Sequence, residues 1–222
     1  MRTAFNLSIP GPHNGQPVLA IASTPGIPTS AAGILLHGRG ASAEDILTLA
    51  AQLNLPELTF WAPQAVDHAW YPNRFQAALA SNQPWLDSAL AAVGALLANL
   101  QAAGIPPERT LLLGFSQGAC LALEFAARSA RRYGGLVGLS GGLIGPDGTP
   151  RTYPGTLDGT PVFLGCSDVD PHIPNERVLE TARVLSQLGG QVTTRLYPNM
   201  AHTVNLDEIQ AVRELVRSSM LD

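Results

Sequence analysis

Charge is scarce in this sequence. Charged residues make up 14% of the 222 positions, and 13 basic against 17 acidic residues leave a net charge of −4. No basic run offers a surface to a phosphate backbone, so a nucleic-acid partner is not expected. Cysteine is nearly absent: Cys120 and Cys166 lie in apolar surroundings and form no disulfide framework. They read as reduced, buried thiols of a cytoplasmic protein. No stretch approaches the ~18 consecutive apolar residues of a membrane span. Residues 1–10 hold one arginine and no continuous apolar core, so no signal peptide is expected. The five histidines are scattered without a spacing such as H-E-x-x-H, and neither a metal nor a cofactor is expected. Repeats, low-complexity tracts and interdomain linkers are missing too, so residues 1–222 are expected to form a single domain.

What is present is apolar and ordered in pattern. Hydrophobic residues make up 45% of the chain. Short continuous apolar runs at 33–37, 58–62, 110–115, 136–140 and 161–165 are bounded by glycine or proline, as strands buried on both faces are. Residues 191–197 alternate instead and belong nearer an edge, and 18–22 reads as an earlier strand. Helical patterns lie between. One is capped by Ser42 with Glu44 and Asp45 in its first turn. Leu86, Leu90, Val93, Leu97 and Leu100 form the stripe of a second, which stops at Gly104. Val178, Ala182, Leu185 and Leu188 mark another. The last starts at Asn205 with Glu208 three residues on, a capping box, and is expected to bury Leu206, Ile209, Val212 and Val216. Such alternation predicts an α/β fold with a mostly parallel central sheet and helices on both faces. Two long loops, 63–84 and 141–160, follow strands and should lie at the carboxyl edge, where such folds place their sites.

The run 110–115 passes directly into Gly114-Phe115-Ser116-Gln117-Gly118, a G-x-S-x-G. In a sharp strand-to-helix turn this pattern lifts a strained serine above the sheet edge, and the glycines leave room for the neighbouring strand and helix. A helix does follow. Leu121, Ala122, Phe125 and Ala126 form its apolar stripe, with Glu124, Arg128, Arg131 and Arg132 predicted to face water, and Cys120 is expected to pack.

Serine needs a base, and the base needs an orienting carboxylate. In α/β-hydrolases the chain order is serine, acid, histidine, which leaves His172 and His202. His202 lies between the strand ending near Tyr197 and the helix starting at Asn205, in a loop that should open beside Ser116; it is the base candidate. His172 is expected at the cleft rim or in solvent. The carboxylate should follow strand 161–165, where Asp168 and Asp170 both stand; spacing leans to Asp170 but leaves both open. Charge developing on a substrate carbonyl oxygen needs fixed N–H donors. The Gln117 amide is one, and the Arg39 amide in His37-Gly38-Arg39-Gly40 is the choice for the other. His37 is expected to support that loop.

Taken together, LLHGRG (35–40), WAPQA (61–65), GFSQGA (114–119), DVDPHIP (168–174) and YPNMAH (197–202) resemble the phospholipase/carboxylesterase group of α/β-hydrolases, which includes the acyl-protein thioesterases. The pieces keep the family's order and spacing over nearly the whole chain. The resemblance implies Ser116, Asp170 and His202 as a triad, with Arg39 and Gln117 as oxyanion donors. There are departures. Arg39 stands where thioesterase members tend to carry an apolar residue, and the loop at 66–84 holds three aromatics, Trp70, Tyr71 and Phe75, as candidate pocket walls. That loop looks closer to bacterial small-ester members. The expected activity is a serine carboxylesterase acting on small to medium carboxylic esters through an acyl-enzyme. A thioesterase or lysophospholipase is the alternative, and a non-catalytic binding protein with a hydrolase fold is the alternative of another class. The expected partner is a small-molecule ester, with a homodimer left open.

Overall fold

A computed structural model describes residues 2–22 and 31–221. Its strands are β1 (Arg2–Asn6), β2 (Pro17–Ala22), β3 (Ala31–Leu36), β4 (Leu58–Pro63), β5 (Thr110–Phe115), β6 (Gly135–Leu139), β7 (Pro161–Ser167) and β8 (Gln191–Tyr197). All eight join one sheet in the order β1-β2-β4-β3-β5-β6-β7-β8. β1 and β2 run antiparallel to their neighbours, and every pairing from β4 to β8 is parallel. This is the α/β fold that the apolar runs predict. β8 lies at the sheet edge, as its alternation implies. β1 has no matching signal in the sequence, since its own composition is not strand-like; antiparallel pairing with β2 makes it a strand.

The helices are α1 (Ala43–Leu53), α2 (Trp85–Ala102), α3 (Gln117–Arg128), α4 (Asn175–Gln187) and α5 (Leu206–Val216). Capping boxes start two of them: Ser42 with Asp45 at α1, and Asn205 with Glu208 at α5. Each joins two donors that would otherwise be orphaned at a helix start. α2 reaches its end just before Gly104, whose φ of +89° a side chain would resist. The strands feed two cores. Ile34, Leu36 and Leu112 pack with α2, α3 and α4 on one face; Leu35, Leu111 and Leu113 pack with α1 and α5 on the other. Alternate residues of β3 and β5 serve opposite faces, which is why both strands read as continuously apolar.

Two surface assignments differ from the sequence reading. Leu206, expected inside, is 85% exposed, because as the first residue of α5 it turns outward while Ile209, Val212 and Val216 carry the buried stripe. Glu124, expected in water, is buried. Its carboxylate takes Nε–H of Arg128 at 2.7 Å and the Ile144 amide at 3.0 Å, because the 141–160 loop folds back over α3. Among the described residues no helix is long and apolar enough to cross a membrane.

Candidate active site

β5 ends at Phe115, and α3 starts at Gln117, so one residue makes the whole turn. Ser116 makes it at φ 55°, ψ −120°, a strained conformation for a residue with a side chain. The strain, typically ~1–3 kcal/mol, is held by its surroundings. The Ser116 amide donates to Leu139 O at 2.9 Å, and the Cys120 amide donates back to Ser116 O at 3.0 Å. A Cβ on Gly114 would overlap the Gly118 carbonyl, and one on Gly118 would overlap the Leu36 carbonyl on β3. Both glycines of the pentapeptide are therefore required by contact.

The loop after β8 brings His202 to this serine. Its Nε2 lies 2.9 Å from Ser116 Oγ and its Nδ1 2.7 Å from Asp170 Oδ2. Asp170 comes from the loop after β7 and has a fully buried side chain. Burial alone would raise this carboxyl. Hydrogen bonds from His202 and from the His172 and Ile173 amides outweigh burial and hold it below the ordinary carboxylate range. Those amides reach Asp170 Oδ1 at 2.8 and 3.0 Å, so the carboxylate is fixed at both oxygens. Asp168 is elsewhere: its Oδ1 accepts the Asn199 amide at 2.8 Å, tying the two loops together. The His172 ring stands edge-on to His202, with centroids 4.8 Å apart, at the mouth of the site.

The backbone N–H groups of Arg39 and Gln117 have no hydrogen-bond partner among the described residues. His37 shapes the first of these segments. Its Nδ1 lies 2.8 Å from Gly38 O, and its Nε2 accepts the Ala65 amide at 3.1 Å, so Nδ1 carries the proton. His13 braces the neighbouring loop, with Nε2 3.0 Å from Trp70 O and Nδ1 accepting from the Val66 amide at 3.1 Å. Burial lowers the pKa of both imidazoles and keeps them neutral. The His13 brace carries no motif, and only the fold reveals it. The Gln117 side chain was likewise not foreseen. Its Oε1 accepts the Trp70 amide at 2.9 Å and its Nε2 donates to Tyr71 O at 2.8 Å, pinning the aromatic loop to α3.

Beside Ser116 lies a cavity of about 320 Å³, near the small end of the roughly 300–1,000 Å³ usual for ligand pockets. Tyr71 and Phe75 line it. Trp70 does not. It is fully buried, donates Nε1–H to His37 O at 2.9 Å and stacks between His13 and His37, so it is core beneath the loop. Loop residues alternate between cavity and core, and sequence could not assign each side. Arg74, Cys120 and Ile173 complete the wall without having been foreseen. Burial pushes the Cys120 and Cys166 thiols up to about 12, so both stay as protonated packing groups.

The sequence profile of the phospholipase/carboxylesterase family matches residues 19–220. A phospholipase/carboxylesterase from Dyadobacter fermentans is 42% identical; the superposition covers 90% of this chain and 96% of that one, at a TM-score of 0.85. Esterase PE8 is 25% identical over 92% of this chain and 98% of its own, at a TM-score of 0.75. The acyl-protein thioesterase 1 of Gibberella zeae is 32% identical over 123 residues, 53% of this chain and 51% of that protein. The chain thus spans about half the length of the curated relatives it matches. With a family profile spanning nearly all of its residues, the chain belongs to the phospholipase/carboxylesterase family.

Proposed function

We propose that this protein is a serine carboxylesterase that cleaves short to medium carboxylic esters through an acyl-enzyme. The observation that carries this reading is the chain of hydrogen bonds from Ser116 Oγ through His202 to Asp170, at 2.9 and 2.7 Å. His202 Nε2 takes the hydroxyl proton as Ser116 Oγ attacks the ester carbonyl, and Asp170 holds the proton on Nδ1 and stabilises the imidazolium. The unpaired Arg39 and Gln117 amides receive the developing oxyanion. His202 then protonates the leaving alkoxide, and water repeats the sequence to release the acid. The small cavity supports a short acyl group. Thioester cleavage uses the same acyl-enzyme and is the second reading, favoured by the fungal relatives named acyl-protein thioesterase 1.

Ser116→Ala removes one oxygen and should lower kcat by ~10⁴–10⁶ without altering circular dichroism. A fluorophosphonate should label the native protein once and this variant not at all. Native-rate labelling of the variant would overturn the assignment. A series of p-nitrophenyl esters and matched thioesters of graded length should peak at short oxygen esters; a peak on long thioesters selects the second reading.

A further inference from the structure

Among the described residues, two arginines, Arg39 and Arg74, and no acidic residue line the cavity beside Ser116. Asp170, the acid nearest the chemistry, is sealed behind His202 with no exposed side-chain surface. Neither arginine makes a salt bridge among the described residues.

The local structure ties Arg39 to the segment that carries Arg74. The Arg39 guanidinium reaches across to the aromatic loop and donates to Pro72 O at 2.9 Å and to Asn73 O at 2.5 Å. Asn73 O belongs to the peptide that joins Asn73 to Arg74. Buried Asn82 fixes the same segment, accepting the Asn73 amide at 2.8 Å and donating to Arg74 O at 3.2 Å. Arg39 spends two of its five donors on neutral carbonyls and keeps its charge. The Arg74 side chain has no partner among the described residues. Both arginines are exposed at the cavity, and among the described residues no acidic side chain lines it to offset their charge. Tyr71 also lines the cavity, with its hydroxyl buried beside Cys120.

We propose that the substrate is a short ester bearing a carboxylate, held by the Arg39 and Arg74 guanidinium groups while its ester carbonyl faces Ser116. The proposal rests on the serine-esterase reading and names the substrate class for that site. Arg74 can meet a carboxylate with its guanidinium fork and Arg39, its fork held by the loop carbonyls, adds its charge; neither a neutral chain nor a fatty acyl group can use either. The small cavity sets the spacing: the acid lies only a few bonds from the ester, as in a half-ester of succinic or glutaric acid. It also accounts for an arginine at position 39, whose backbone amide alone serves the oxyanion.

The test compares kcat/KM for matched pairs. Monomethyl glutarate against its neutral terminal amide places the acid on the acyl side, and 4-acetoxybutanoate against its amide places it on the alcohol side. One pair should show a preference of about ten- to a hundredfold for the acid, the range of a charge-assisted hydrogen bond. In Arg74→Gln and in Arg39→Gln that ratio should fall toward one, mainly through KM, whereas the exposed Arg183→Gln control should retain it. Acid-to-amide ratios near or below one for both pairs, with p-nitrophenyl acetate still hydrolysed, overturn this inference and leave the esterase reading intact. Equal losses on acid and amide in Arg74→Gln also overturn it, by assigning the arginine to the oxyanion instead. If no ester is cleaved and Ser116 is not labelled by a fluorophosphonate, both readings fall.

Discussion

Asp170→Asn is the most informative single change, because the geometry dictates how the new side chain must sit. Asp170 Oδ1 accepts two backbone amides, from His172 and Ile173, and Oδ2 accepts His202 Nδ1 at 2.7 Å. An asparagine keeps its carbonyl oxygen on the two amides, since the opposite flip would set an NH₂ against two N–H donors. Losing those two bonds alone costs ~2 kcal/mol before the donor clash is counted. The amide nitrogen therefore faces His202 Nδ1. Nδ1 must then accept, the proton moves to Nε2, and Nε2 can no longer take a proton from Ser116 Oγ. A wrong tautomer of this kind costs roughly 10³–10⁴ in kcat, or about 4–5 kcal/mol of transition-state stabilisation. Asp168→Asn is the internal control. Its Oδ1 accepts the Asn199 amide, which a carboxamide oxygen can also do, so the loss should stay below ~10-fold. Steady-state hydrolysis of p-nitrophenyl acetate, with circular dichroism and thermal melts on both variants, makes the comparison. A folded Asp170→Asn protein within tenfold of native activity would refute the tautomer argument, and a crippled Asp168→Asn would move the orienting acid to position 168.

Glu208, buried at the start of α5, has its carboxyl pushed up to about 7, chiefly by burial, while Oε1 lacks a partner. Its folded pKa lies above the ordinary value of 4.5, so the native state keeps a proton that the unfolded chain sheds. Stability from this group is complete below about pH 4.5 and is lost as pH rises to about 7, by up to roughly 3 kcal/mol. The melting temperature should decline across that window, and Glu208→Gln should remove that part of the slope; an unchanged slope in the variant would refute the assignment. Trp70→Ala should destabilise by ~3–5 kcal/mol, as loss of a buried aromatic does, and leave the ester-length profile of the folded fraction unaltered. Phe75→Ala should shift that profile instead, and the reverse outcome for the two variants would return Trp70 to the pocket wall.

Local rules were enough for much of this protein. Continuous apolar runs announced buried parallel strands, because a strand covered on both faces has no polar side to show. Ser42 ahead of an acidic first turn and Asn205-x-x-Glu208 announced two helix starts, because a cap is closed within four residues. Gly114-x-Ser116-x-Gly118 announced the sharp turn, because Gly114 is required by a contact within the turn itself, whereas Gly118 is required by Leu36 on β3. Residues brought together across long separations needed the fold. Ser116 and His202 are 86 positions apart, and spacing alone left Asp168 beside Asp170; only the loop conformations after β7 and β8 turn one carboxylate to the imidazole and the other to Asn199. Glu124 became buried because a loop 20 residues further on closed over it, and Leu206 stayed outside because the first turn of α5 faces away from the sheet. Irregular loops have no period, so nothing local could separate Trp70 from Tyr71 and Phe75, or show that Arg39 and Arg74 share one cavity. Sequence determined the elements and the sharp turn at Ser116, where most of the forces act between near neighbours; tertiary structure decided every partner whose contact depends on where two distant loops meet.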